Sequence, residues 1–163
     1  MMEQEQNQNI EAIMAERLKQ IHGYYHREMI ELVEAMEKRF GSEVTAVVDG
    51  VIANRARRLG SLYAKQTDSH SVADYLDLIW EPARADGLEF TTEPRENGVQ
   101  IHVTRCPVHD MACESNKKEW LYHLVCTQDP YMAEGFNPKM GFQRTKTLMQ
   151  GQDHCDHFFF MKE

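Results

Sequence analysis

The densest run of reactive side chains in the chain is Asp153, His154, Cys155, Asp156 and His157, followed at once by the apolar residues Phe158 to Met161. A thiol among imidazoles is the arrangement a reactive cysteine needs, because a neighbouring imidazolium favours the thiolate that attacks carbon or binds metal. If the run is a strand, alternation sends Cys155 and His157 to one face and His154 and Asp156 to the other, so one imidazole shares the thiol's side. Cys155 is the leading candidate for chemistry. Three consecutive Phe beside five reactive groups point to one wall of a pocket, although Phe158, Phe159 and Phe160 cannot all face the same way.

Cys106, Cys113 and Cys126 complete the cysteine set, spaced C-x6-C-x12-C-x28-C with no C-x-x-C pair. Zinc is permitted by this set but not signalled. If a metal is bound, Cys106, Cys126 and Cys155 are the expected ligands. Each thiol is equally readable as a small buried hydrophobe. Cys113 and His109 read as loop residues. His22 and His26, four apart in HGYYH, share a helix face as metal pairs do, but the Glu of the H-E-x-x-H motif is missing. Arg55, Arg57 and Arg58 form a basic side that is either a solvated face or an anion site.

The 163 residues and formal charge of −8 bound the rest: one domain over 1–163, without the basic field that nucleic acid or an anionic membrane requires. The N-terminal MMEQEQNQN has no secretory pattern, and no apolar run approaches the roughly 18 residues of a membrane span. The expected location is the cytoplasm, where reducing conditions keep cysteines free of structural disulfides.

The elements that must position these groups follow from periodicity. Residues 1–87 read as mainly helical. Ile10, Ile13, Met14, Leu18, Ile21, Tyr25, Met29, Leu32, Met36 and Phe40 recur at helical spacing, as one long helix or two meeting near Gly23, with Gly41 as the stop. This stripe makes a homo-oligomer through the N-terminal helix a candidate assembly. Ser42 is placed to cap a second helix bearing Val44, Val48, Val51, Ile52, Leu59, Leu62 and Tyr63. Val72 to Trp80 starts a third, limited or kinked by Pro82.

Residues 88–163 read as hairpin, helix, hairpin. LEFTTE and VQIHVTRC flank an Asn97-Gly98 turn, and Pro107 ends the second strand after Cys106. Val108 to Ser115 reads as a loop, Asn116 with Glu119 as a capping box for a short helix, and DPYMAEGFNP as turns. The closing hairpin has strands joined at Gln150 to Asp153, with Gly151 supplying positive φ. The expected fold is α+β, with N-terminal helices packed on an antiparallel sheet of about four strands made from two hairpins.

Cys106-Pro107 after a strand, C-x-x-D at Cys126 and Asp129, Arg144-Thr145, and G-x-D-x-C-D-x-F-x-F from Gly151 to Phe160 together resemble the L-2-amino-thiazoline-4-carboxylic acid hydrolase family. The pattern is also loosely similar to 4-vinyl reductase ligand-binding domains, which bind small molecules. The first resemblance implies hydrolytic opening of a cyclic isothiourea to N-carbamoyl-L-cysteine, with no organic cofactor. It implies catalytic roles for Cys155, Cys106, Asp129 and Asp156, and substrate binding by Arg144, Thr145 and Cys126. A thiolate nucleophile and a water activated by Asp129 or Asp156 both satisfy the chemistry, while Arg144 would hold the substrate carboxylate. The alternative is a non-catalytic sensory domain that holds a small ligand or zinc.

Overall fold

The apolar spacing from Ile10 to Phe40 produces one unbroken helix, α1 (Met2–Phe40), passing through Gly23. The computed structural model describes residues 2–163; the side chain of His22 lies outside the described residues, so the His22 and His26 pair does too. Gly41, at φ 81°, ends α1 in a conformation that a Cβ would strain. Helix α2 (Glu43–Ala64) follows, but the expected cap is corrected: Ser42 sits at the N-cap position without a side-chain capping bond.

The third helix starts as α3 (Val72–Tyr75), closed by a capping box in which Ser71 and Asp74 satisfy each other's backbone amides. It widens into a π turn at Leu76–Trp80 and tightens into a 3-10 turn at Glu81–Arg84. Pro82 sits in the opening positions of that last turn, where its missing N–H costs nothing.

The sheet has four antiparallel strands in the order β1-β2-β4-β3: β1 (Glu89–Arg95), β2 (Gly98–Arg105), β3 (Met140–Gln143) and β4 (Cys155–Met161). Arg95 pairs with Gly98, so Glu96 and Asn97 form the first turn and Gly98 is already in the ladder, one residue off the expected position. Between the hairpins, two segments expected as loop or turn are helices: α4 (Pro107–Ser115) and α6 (Asp129–Phe136), each opened by a proline at its first positions. Proline that stops a strand also starts a helix well, because φ is preset and the lost donor would have had no partner. Between α4 and α6 lie α5 (Lys118–Val125) and a 3-10 turn at Cys126–Gln128. Asn116 does not cap α5: at φ 54° it is the left-handed C-cap of α4, and Lys117 takes the N-cap position of α5.

The closing hairpin is also corrected. Its first strand is Met140–Gln143, ahead of Arg144, and residues 144–147 carry no ladder. The reason is Asp156, whose Oδ1 accepts from the amides of Thr145 (2.8 Å) and Lys146 (2.5 Å) and whose Oδ2 accepts from the Thr145 hydroxyl (2.5 Å). A carboxylate has replaced a neighbouring strand as the acceptor. A 3-10 turn at Leu148–Gln150 and Gly151 at φ 89° then lead into β4.

Burial pushes the Asp156 carboxyl up, but the Thr145 and Lys146 donors outweigh it and hold the group below the usual carboxylate range. A lowered folded pKa means stability that is present above the unfolded value, roughly 3.9, and is lost as pH falls through the folded one. Asp156→Ala is therefore expected to cost about 1–2 kcal/mol at neutral pH in urea unfolding, since the site is half exposed. The gap from the parent should close in strong acid; an equal gap at both pH values would contradict this.

Two cores hold these elements. Helices α2, α3 and α6 pack on the inner sheet face through Ala56, Tyr75, Trp80, Phe136, Ile101 and Phe159, while α1, α2, α4 and α5 share Val33, Val48, Ala112 and Leu121. Helices α2 and α6 cross in backbone contact: a Cβ on Gly60 would lie 2.3 Å from the Met132 carbonyl oxygen, and one on Gly135 would lie 2.2 Å from that of Arg57. The crossing fixes the start of α6, and with it Asp129. Among the described residues no helix is long and apolar enough to cross a membrane.

Candidate functional site

Register decides what faces the helices. Val103 pairs with Cys155, Ile101 with His157 and Val99 with Phe159, so alternation turns Cys155, His157 and Phe159 inward and Asp156, Phe158 and Phe160 outward. The inward His157 lies between Trp80, 4.9 Å away by ring centroid, and Phe142, 5.9 Å away. An imidazole in such hydrocarbon needs polar partners on both nitrogens.

One nitrogen has them. Asp129, the first residue of α6, and Arg144, the first after β3, meet beside His157. Arg144 Nη1 donates to Asp129 Oδ2 at 2.6 Å and Nη2 donates to the Cys126 carbonyl at 3.0 Å. His157 Nε2 lies 3.4 Å from both Asp129 Oδ2 and Arg144 Nη1. The Arg144 side chain is 9% exposed and that of Asp129 21%. Burial pulls the Arg144 guanidinium down most strongly, but the Asp129 charge together with Cys126 and Tyr122 outweighs it and keeps the pKa above its ordinary value. The other imidazole nitrogen, His157 Nδ1, is buried and has no hydrogen-bond partner among the described residues.

The three candidate thiols surround this group electrostatically. Burial pushes Cys126 up strongly, with the Asp129 charge adding to the rise, Arg144 opposing it, and Cys106 and Cys155 close enough to contribute. Cys155 is buried, its sulfur accepting from the Leu148 amide at 3.3 Å, and burial raises its pKa despite that bond. Cys106 precedes α4. Burial raises its pKa too, and the amides of Val108 and His109 offset this only in part, neither being placed as a capping hydrogen bond. Burial thus disfavours the thiolate at all three. Among the described residues no group of three or more His, Cys, Asp or Glu is placed to hold a metal ion. The expected cysteine cluster is therefore not formed as a metal-binding set.

The structure thus brings together Asp129 and Arg144 with the carbonyl of Cys126, and sets Cys106 and Cys155 in the same field. Asp156 and Thr145 lie on the other side of the sheet, bonded to each other. Cys113 is exposed on α4, its sulfur 3.4 Å from His109 Nε2. Arg57 pairs with Glu134 and Arg55 with Gln128. His157, placed by alternation on the same face as Cys155, is the site residue to which the sequence assigns no role of its own. An open hollow of about 530 Å³ lined by Arg58, Leu59, Leu62 and Met132 reaches Gln128, the residue before Asp129.

A family model described as L-2-amino-thiazoline-4-carboxylic acid hydrolase matches residues 22–159. Among solved structures, the chain is similar to a trafficking protein particle complex subunit 3 from Naegleria fowleri covalently bound to palmitic acid. The TM-score is 0.56 and the identity 14%, over 89% of this chain and 95% of that one. It is also similar to the phenol-responsive sensory domain of the transcription activator PoxR, solved with phenol, at TM-score 0.55 and 10% identity over 83% of this chain and 74% of that one. At such identities the likeness is one of fold. No curated protein matches the chain.

Proposed function

The chain belongs to the L-2-amino-thiazoline-4-carboxylic acid hydrolase family, and on that premise we propose that it opens a small cyclic isothiourea or amidine carboxylate by hydrolysis. The observation that carries this reading is the buried, unpartnered Nδ1 of His157 on an imidazole whose other nitrogen faces the Asp129 carboxylate. With its Nε2–H donated to Asp129, the ring presents a lone pair at Nδ1 that can take a proton from water, and Asp129 stabilises the imidazolium so formed.

In this mechanism water adds to the sp2 carbon between sulfur and nitrogen, and His157 takes one proton as the oxygen–carbon bond forms. The carbon–sulfur bond then breaks. Of the two protons of the water, one ends on the ring nitrogen and one on sulfur, so L-2-amino-thiazoline-4-carboxylate yields N-carbamoyl-L-cysteine with one water consumed. Arg144 directs N–H groups to Asp129, to the Cys126 carbonyl and to Tyr122, and a further N–H of the five can receive the substrate carboxylate. The raised pKa of Cys106, Cys126 and Cys155 favours activated water over a thiolate nucleophile and makes the thiols uncharged walls. Asp156 and Thr145 act as a strap that holds the Arg144 segment. The unbridged cysteines support work in a reducing compartment such as the cytoplasm. The exposed apolar face of α1 supports a homo-oligomer.

A second reading, a small-ligand-binding domain without turnover, is favoured by the two structural neighbours, each solved with a small organic molecule. Mass-resolved incubation of the purified protein with L-2-amino-thiazoline-4-carboxylate separates the two. Formation of N-carbamoyl-L-cysteine supports the hydrolase; saturable binding with the thiazoline recovered intact supports the binder and overturns the hydrolase.

A further inference from the structure

Among the described residues, the large apolar side chains that are exposed all belong to α1 and α2, and eight of the eleven lie on α1. That helix also has a buried side, where Ile30 and Val33 face α2 and α5. The exposed side is therefore a second apolar face. Met14, Ile21, Tyr25 and Leu32 are each more than half exposed. By sequence they fall with Leu18 and Glu28 at alternating spacings of four and three, the seam of a two-helix coiled coil. Leu18 enters by sequence only, since its side chain lies outside those described. A helix of this length gains its stability in water from packing an apolar face.

We propose that two copies of the chain pair through this face as an antiparallel, two-fold-symmetric helix pair centred near Gly23. This rests on the homo-oligomer reading above and gives it a geometry. Antiparallel pairing sets Met14 against the Leu32 of the second copy, Ile21 against Tyr25, and Leu18 against Glu28. It also brings Arg17, on the flank of the seam, beside the opposite Glu31, and symmetry makes that contact twice. Parallel pairing would put Glu28 against its own copy inside the seam and leave Arg17 without an acid. With Ile10 and Tyr24, the exposed seam offers on the order of 600 Å² of apolar surface before Leu18 and the charged stems are added, close to the roughly 800 Å² per partner of a standard interface.

Sedimentation of the full chain over a hundredfold range of concentration tests this. The parent is expected to be a dimer and Ile21→Glu a monomer with unchanged helix content by circular dichroism, since Ile21 is 60% exposed. Arg17→Glu should weaken the dimer about tenfold, and Arg17→Glu combined with Glu31→Arg should restore the parent affinity. A parent that stays monomeric overturns both the oligomer and its geometry, and so does a dimer indifferent to Ile21→Glu. A dimer broken by Ile21→Glu but not restored by the charge exchange overturns the antiparallel register alone.

Discussion

Asp129→Asn is expected to lower the unfolding temperature by roughly 10 °C and to abolish ring opening in the fraction that remains folded. The substitution keeps the shape of the side chain and removes its charge. Arg144, 9% exposed and held at 2.6 Å by that charge, is left as a buried cation without its counter-ion. Breaking such a pair from one side costs about 3–5 kcal/mol. Catalysis fails for a separate reason: the neutral amide no longer stabilises an imidazolium at His157, so protonation of Nδ1 loses its electrostatic support. Differential scanning fluorimetry reads the first effect and product formation the second. The double variant Asp129→Asn with Arg144→Met should recover much of the stability, because no unpaired charge remains, without recovering activity. Additive losses in the double variant would show that the two side chains do not act as a pair.

Gly60→Ala is expected to be as damaging to the fold while changing no reactive group. A Cβ there would stand 2.3 Å from the Met132 carbonyl oxygen and 2.7 Å from the Phe136 amide nitrogen, both backbone atoms of a packed helix. No rotamer change relieves that overlap, so α2 and α6 must separate. Overpacking of this kind costs about 3 kcal/mol. The same holds for Gly135→Ala against the Arg57 backbone. The effect should reach the site, because displacing α6 moves Asp129 away from Arg144. Equilibrium denaturation of each variant checks the expectation, and parental stability in either would mean that the helices do not cross this closely.

The inner face of β4 was legible in the sequence because alternation is local: Cys155 and His157 had to share a side wherever the strand lay. What lay against them was not. Asp129 reads as a turn former before Pro130 and Pro107 as a strand terminator, yet both prolines open helices, because the same fixed φ serves either role and only tertiary packing chooses. Asn116 illustrates the same ambiguity between the start of one helix and the end of another. Arg144-Thr145 looked like strand because Thr favours sheets, whereas the decisive acceptor was the carboxylate of Asp156 across the turn. That contact also explains why Asp156, adjacent in sequence to the best thiol, stands apart from Asp129. The sequence neighbours of the thiols suggest potential nucleophiles, but burial governs their ionisation, and residue spacing does not reveal burial.

The central claim is that a carboxylate-backed imidazole activates water in this protein. The most direct measurement is the initial rate of N-carbamoyl-L-cysteine formation by the parent and by His157→Gln, at equal concentrations of folded protein. General-base catalysis by His157 requires turnover in the parent and a fall of about 10²–10⁴-fold in the variant. A variant that turns over at the parental rate would contradict it.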